Sequence, residues 1–486
     1  MAASRSVKVL LLTIGNGINL VMNFIMMPYL ARSLNYVEYG TYGQVLMITA
    51  LLQVVFTFSL NQMVNLVFAD VKNDRKKSFT TLFYLSALIA FGGVLLLMLS
   101  SGIIAGWFNN ILLQNLLMSS GIFLSGQIIY SVLYSMLIFH DRIKQASILL
   151  IVSNLIRVLL IFISIHFYHS LEMVIFSLNI VSVLQVLMAL YFLPREIVSF
   201  SSFDTKIARS TFRNAYPLTL SGITERGVFY IDGMIISTML TTSDYAIYRA
   251  GAFEVPFVSS IYGSVSSIIL PEVARLYDKS EFKNIVTLKK KGIIANACII
   301  YPVLIFLLFF GNALLTFYLS DKYAASVPVF ALFNLALLIR VNDYQDILVV
   351  SANTRYIFLY SVMMFIINLV MNFLLISYFG IVGGAIAFIL FLFMYAGLLA
   401  FKSASIVNAT VFDLFDFKKL ATIIAVSVLF ILPFYWLCYV MNFNIIFVVG
   451  SAAVFLLAVY SFLWKRKIMD NQLLNQLAVK IRLVKK

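Results

Sequence analysis

The sequence predicts an all-α polytopic membrane protein of about 14 transmembrane helices: two six-helix lobes in parallel repeat, then a C-terminal helix pair. Three observations carry that expectation. The chain is 62% hydrophobic and 11% charged, with a mean hydropathy of +0.99. Water-soluble domains are about half apolar and a quarter charged, so no soluble core could hide this much apolar surface. Apolar runs recur along the whole length, each near the ~20 residues that cross a ~30 Å hydrocarbon layer. Finally, LNYVEYGTY at 34–42 returns as LTTSDYAIY at 240–248, an offset of 206.

Taken in order, the spans fall near 7–30, 42–68, 79–105, 112–139, 147–168, 171–193, 214–240, 245–274, 292–319, 325–351, 357–379, 381–401, 420–441 and 443–464. The first follows a basic tip, but its apolar run is too long for a secretory leader and no small-x-small site follows, so it reads as a retained span. Two turns are minimal, a bare Gly380 and residues 441–443. FDTKIARSTFRNAY (203–216) reads as a short surface helix. The tail sets Leu473, Leu474, Leu477, Ile481 and Val484 at helical spacing among Lys and Arg, the pattern of an amphipathic helix on an anionic leaflet. The organisation is then 1–200 and 201–403 for the lobes, and 404–486 for the added pair and basic tail.

Net charge is +15. In a soluble chain this would suggest nucleic acid; here it reflects the positive-inside bias of membrane proteins, and no nucleic-acid partner is expected. Of the 35 Lys and Arg, four lie within spans (Arg157, Arg226, Arg249 and Arg340) and Arg32 and Lys322 lie on one side; the other 29, among them Arg75, Lys76, Lys77 and Lys289, Lys290, Lys291, lie on the opposite side with the N-terminus. That split predicts cytoplasmic N- and C-termini and an even number of spans. Cys298 and Cys438 sit in apolar runs and read as buried free thiols. His140, His166 and His169 show no ligand pattern, so neither metal nor cofactor is expected.

Both copies of the repeated phrase join an odd span to the next even one, six spans apart, so they face the same side and the repeat is parallel. Tyr39, Tyr42, Tyr245 and Tyr248 suit an interfacial aromatic belt. Glu38 and Asp244 meet the positive end of a helix dipole, and Gly40 and Ala246 permit close helix approach.

The stretch from Gly15 to Gly43 carries Pro28, the Ala31-Arg32 pair, Leu34, Glu38-Tyr39-Gly40 and Tyr42. It resembles the first hairpin of Wzx-type polysaccharide flippases, which move O-antigen or capsule repeat units and belong to the multidrug/oligosaccharidyl-lipid/polysaccharide exporter superfamily. The resemblance implies transfer of an undecaprenyl-pyrophosphate-linked oligosaccharide to the outer face of the bacterial plasma (inner) membrane, for lipopolysaccharide or capsule, by alternating access around spans 1, 2, 7 and 8. It implies as partners that substrate, membrane lipids, a coupling ion (H⁺ or Na⁺) and a polysaccharide polymerase. Lipid II flippases are similar in span number but carry arginines in their first span, and this chain has none there. Two other classes compete. Drug or cation antiporters of the same superfamily usually have twelve spans. A membrane polysaccharide polymerase or glycosyltransferase commonly needs a sizeable external loop, and no loop here is long, so the chain is not expected to be an enzyme.

An ionisable group within a span costs a few kcal/mol on insertion scales and usually faces a wet cavity or a partner. Arg226 falls near mid-membrane in span 7, with Glu225 beside it and Asp232 seven residues on. Span 8 holds Arg249 and Glu254. In span 1, Asn16, Asn19 and Asn23 share one helical face. These are the cavity candidates: Arg for bidentate contact with phosphate oxygens, Asn for sugar hydroxyls. Arg226 is expected to lean on Glu225, Asp232 and Glu254 while the cavity is empty. Arg340, Asp343 and Asp346 step by three along span 10, the spacing of a structural or coupling network, as Arg157 is in span 5.

Overall fold

A computed structural model describes residues 5–70, 73–200, 202–255, 257–440, 445–466 and 468; for Glu225 and a few other helical positions it describes the backbone alone. Every regular element among them is helical. In chain order these are α1 (Arg5–Ser33), α2 (Tyr36–Phe56), α3 (Leu60–Ala69), α4 (Arg75–Trp107), α5 (Ile111–Ser119), α6 (Gly121–Phe139), α7 (Ile143–Tyr168), α8 (Leu171–Phe192), α9 (Thr205–Met239), α10 (Thr242–Gly251), α11 (Phe257–Asp278), α12 (Phe282–Leu319), α13 (Val327–Leu335), α14 (Asp346–Val350), α15 (Thr354–Ile406), α16 (Val411–Leu414), α17 (Phe417–Val440) and α18 (Ile445–Lys465). Two 3-10 segments, Asp321–Ser326 and Ala336–Leu338, flank α13. Among the described residues ten helices are long and apolar enough to cross a membrane by length and composition. One of them, α15, is two spans. It folds back at Gly380, whose φ of 58° and ψ of −137° only glycine adopts without strain.

The contacts divide the chain into two compact units, Met1–Ala246 and Ile247–Lys486. In the first, α1 packs on α7, α7 on α8, α8 on α6 and α6 on α4, while α9 lies against α2 and α3. In the second, α12 is the hub, touching α11, α13, α17 and α18. The C-terminal pair is fastened to it by rings: Phe455 stacks on Phe306 at 6.1 Å, and Tyr435 meets Phe309 edge-on at 5.4 Å. Between helices surrounded by lipid, such packing and the hydrogen bonds below supply the attraction that water exclusion supplies elsewhere.

Sequence patterning predicts unbroken helices for spans 2, 4, 8 and 10, and each is broken. Span 2 breaks where Phe58 and Ser59 both take a φ of 48°. Span 4 breaks at Ser120 between α5 and α6, span 8 across residues 252–255, and span 10 across 339–345. A broken helix frees carbonyls and amides that lipid cannot satisfy, so neighbours must do it. At the α5/α6 break, Asn179 of α8 donates to the Ser119 carbonyl at 2.8 Å and accepts from the Phe123 N–H at 2.8 Å. At 339–345 three side chains of α12 serve: Tyr301 donates to Leu338 O at 3.0 Å, Asn296 to Val341 O at 3.0 Å and Lys289 to Asp343 O at 2.7 Å. Residues 203–216, read as a surface helix, instead open the long α9, whose N-cap is Asp204. The turn at 441–443 and the amphipathic tail lie outside the described residues.

The repeat is built from helix starts. Asn35 and Glu38 form a reciprocal capping box at α2, and Thr241 and Asp244 make the same exchange at α10. The repeated acid is therefore the third residue of a capping box in each copy. The four tyrosines are not a belt: Tyr39, Tyr42, Tyr245 and Tyr248 are 2, 9, 3 and 3% exposed, so they are core. Gly40 does allow close approach, since a Cβ there would lie 2.3 Å from the Thr242 carbonyl oxygen. The contacts repeat as well. Asn110, after α4, donates to Thr41 Oγ1 at 2.8 Å; Ser326, after α12, donates at 2.7 Å to the carbonyl of Ile247, which stands 206 positions beyond Thr41.

Candidate functional site

In the first unit a cavity of ≈ 210 Å³ opens beside the α2/α3 break. Gln53, Thr57, Ser59, Asn61, Gln62, Ser131, Thr219, Tyr230 and Arg226 supply its polar wall, and Ala50, Val54 and Gly222 the rest. The break places part of that wall: left-handed Ser59 turns its hydroxyl to accept from Thr219 of α9 at 3.2 Å. Arg226, one turn above Gly222 on α9, is exposed and makes no hydrogen bond or ion pair with another described residue. An unpaired guanidinium on a hydroxyl- and amide-lined wall can hold an anion bidentately while its neighbours solvate the remaining oxygens. The volume is below the ~300 Å³ of the smallest drug-sized pockets, room for a headgroup rather than a whole glycan.

Asp232 lies on the same helix but is 7% exposed and accepts from the Gly233 N–H at 2.7 Å. The side chain of Glu225 lies outside the described residues. A second constellation of the first unit joins the asparagine stripe to Arg157. The Arg157 guanidinium donates to Asn23 Oδ1 at 2.7 Å, and Asn23 donates to Asn19 Oδ1 at 3.1 Å. Asn16 and Asn23 are exposed and Asn19 half-buried, so α1 and α7 present a connected polar strip.

The remaining candidates gather in the second unit around its two broken spans. Arg340 grips Glu254 with both arms of its fork, Nε to Oε2 at 3.1 Å and Nη2 to Oε1 at 2.9 Å. Glu254 is thus held by Arg340, and Arg249 is half-buried on α10. Arg340, Asp343 and Asp346 do not share a helical face, because 339–345 is unwound; each finds a different partner. Ser266 of α11 donates to Asp343 at 2.7 Å, and Lys289 of α12 pairs with Asp346 at 2.6 Å.

Lys289 escaped sequence reasoning, which placed it with Lys290 and Lys291 among solvated loop cations. Its side chain is 4% exposed. The helix α12 begins at Phe282, well before the apolar run, and on its early turns Ile285 and Lys289 are buried while Lys283 and Thr287 stay exposed. Asn110 was also missed. It is 5% exposed and bonds both Thr41 and Gln44. The amide and hydroxyl wall of the Arg226 cavity had no periodic signature to find.

The chain is similar to a solved structure of the lipid II flippase MurJ in an inward closed conformation, with a TM-score of 0.75 and 16% identity over 95% of this chain and 100% of that one. It is similar to an inward-facing multidrug resistance MATE family transporter of the MOP superfamily, with a TM-score of 0.62 and 12% identity over 82% of this chain and 98% of that one. A MOP superfamily transporter from Pyrococcus furiosus gives a TM-score of 0.53 at 9% identity over 84% of this chain and 97% of that one. At these identities the likeness is one of fold, and it bears out the multi-pass helical architecture. A search of the curated proteins returns no match. The profile of the family described as "Polysaccharide biosynthesis protein" matches residues 7–277, more than half the chain, and the chain belongs to that family.

Proposed function

We propose that this protein is a Wzx-type flippase that moves an undecaprenyl-pyrophosphate-linked oligosaccharide across the bacterial plasma membrane, for O-antigen or capsule assembly. The observation that carries the reading is Arg226, a guanidinium unpaired among the described residues, on the polar wall of a headgroup-sized cavity in a chain of the polysaccharide biosynthesis family. A pyrophosphate leaving water needs a fixed cation and donors for its remaining oxygens. Arg226 supplies the first, and Gln53, Asn61, Gln62, Ser131 and Tyr230 supply the second. The Asn19–Asn23–Arg157 strip suits sugar hydroxyls.

In this scheme both termini are cytoplasmic, and lobes 1–200 and 201–403 alternate the access of the cavity while 404–486 stays with the second lobe. The Arg340–Glu254 pair, set on unwound backbone, and the Lys289–Asp346 pair at the edge of the 339–345 break are the element that changes when a coupling ion, H⁺ or Na⁺, arrives. Similarity to MATE transporters supports the fold, and no feature of the cavity favours a hydrophobic drug over a phosphate-bearing substrate.

Deletion of the gene tests the class. Lipid-linked oligosaccharide units should accumulate on the cytoplasmic leaflet and surface polysaccharide should fall. Unchanged intermediates and surface glycan, in a strain with no second flippase, would remove the proposal.

A further inference from the structure

We propose that the open end of the α15 hairpin carries a seat for the phosphate of an anionic membrane phospholipid, formed by Arg355, Lys402 and Tyr356. The two cations come from opposite legs of the hairpin and converge on one ring. Arg355 sets its guanidinium carbon 4.9 Å from the Tyr356 ring centroid, and its Nη2 donates to the Tyr356 hydroxyl at 3.3 Å. Lys402 sets its Nζ 4.2 Å from the same centroid. Neither pairs with a carboxylate among the described residues.

Two like charges held against one ring repel, and a solvated lysine would ordinarily swing away. Lys402 instead stays half-buried. An anion seated between them removes the repulsion and gains charge-assisted hydrogen bonds from the Arg fork, the ammonium and the tyrosine hydroxyl.

The surroundings specify the source of that anion. Phe358 is 47% exposed, Leu359 57% and Phe401 69%. In a membrane protein such side chains at a helix end face acyl chains, so the cluster stands at headgroup level on a lipid-facing edge. It lines none of the cavities described above, so bulk phospholipid reaches it in preference to a transported substrate. This assignment stands independently of the proposed function.

The test uses the full-length protein in an uncharged detergent, with thermal unfolding followed as phosphatidylglycerol, phosphatidylcholine or an isoprenoid pyrophosphate is added. Wild type should be stabilised by phosphatidylglycerol and not by phosphatidylcholine. A basic residue near an anionic surface contributes roughly a fivefold factor in affinity. Arg355→Gln, at an exposed position, should therefore need about fivefold more phosphatidylglycerol for the same stabilisation, and Arg355→Gln with Lys402→Gln roughly thirtyfold. A control with the same net charge, Lys283→Gln with Lys418→Gln, should respond as wild type does. The proposal is overturned if the double variant responds to phosphatidylglycerol like wild type, if the control loses as much, or if the double variant loses more of its response to isoprenoid pyrophosphate than to phosphatidylglycerol.

Discussion

Replacing Lys289 by Met should be the most damaging single change in the second unit. The Lys289 and Asp346 side chains are 4% and 2% exposed and meet at 2.6 Å. Methionine keeps most of the volume, so the loss is electrostatic. It leaves the Asp346 carboxylate buried with no counter-charge, a situation that costs about 3–5 kcal/mol. It also removes the charged donor from the Asp343 carbonyl, a bond of about 1.5–3 kcal/mol that is not independent of the first. Against a total stability of about 5–15 kcal/mol, either figure is a large fraction. Removing both charges is a different perturbation, because a buried pair contributes little net stability over neutral groups of similar size. Lys289→Met with Asp346→Asn should therefore recover most of what Lys289→Met loses. The assay is thermal unfolding of the purified protein, read beside membrane yield. A single variant that melts with wild type, or a double variant that melts no higher than the single, would refute the buried-pair account.

Other outcomes follow from the same contacts. Tyr39→Ala and Tyr245→Ala each empty a core position, at about 3–5 kcal/mol by analogy with other aromatic truncations; both should lower membrane yield more than activity per molecule, and normal yield with abolished transport would contradict the structural role. Asn35→Ala and Thr241→Ala each remove one capping box and should cost about 1 kcal/mol in unfolding free energy. Gly40→Val drives side-chain atoms into the Thr242 carbonyl and should destabilise by about 1–3 kcal/mol, with Gly17→Val, where a Cβ meets nothing within 4 Å, as the neutral control. His140, at the end of α6 beside Phe68 and Phe139, has a pKa lowered by burial and then by Arg75 and Arg142. The unfolded chain binds its proton more readily, so its contribution is fully present above the ordinary value of 6.5 and is lost as pH falls below it; His140→Gln should flatten that part of the stability–pH curve.

Much of the architecture was legible because lipid imposes simple rules. Apolar run length located the spans, and a capping acid recurring at an offset of 206 exposed the repeat. The aromatic positions misled, because a tyrosine at a span end has the same pattern whether it faces headgroups or a neighbouring helix. The helix breaks were invisible for a related reason. Hydropathy responds to side chains, whereas Phe58 and Ser59, residues 252–255 and residues 339–345 depart from the helix in the backbone. What makes those departures tolerable lies far away in sequence: Asn179 serves Ser119, and Lys289 serves Asp343. Of the candidate residues, those with a local partner pattern, Asn19 and Asn23, were readable as a strip. Arg340 with Glu254 and Lys289 with Asp346 required the tertiary fold. The uncharged wall around Arg226 has no spacing rule, since it gathers α2, α3, α6 and α9 at a single break.

The central claim, that Arg226 receives the pyrophosphate of a lipid-linked oligosaccharide, is tested most directly by transbilayer movement in proteoliposomes. The measurement is the rate at which an undecaprenyl-pyrophosphate-linked oligosaccharide becomes accessible on the far leaflet, per molecule of reconstituted protein. Arg226 is exposed and unpaired among the described residues, so its replacement should leave folding and reconstitution unchanged. Lys keeps the charge and loses the fork, which gives a graded expectation: Arg226→Lys impaired, Arg226→Ala nearly inactive and Arg226→Glu inactive. Wild-type transfer by Arg226→Ala would contradict the account and remove this residue from the site.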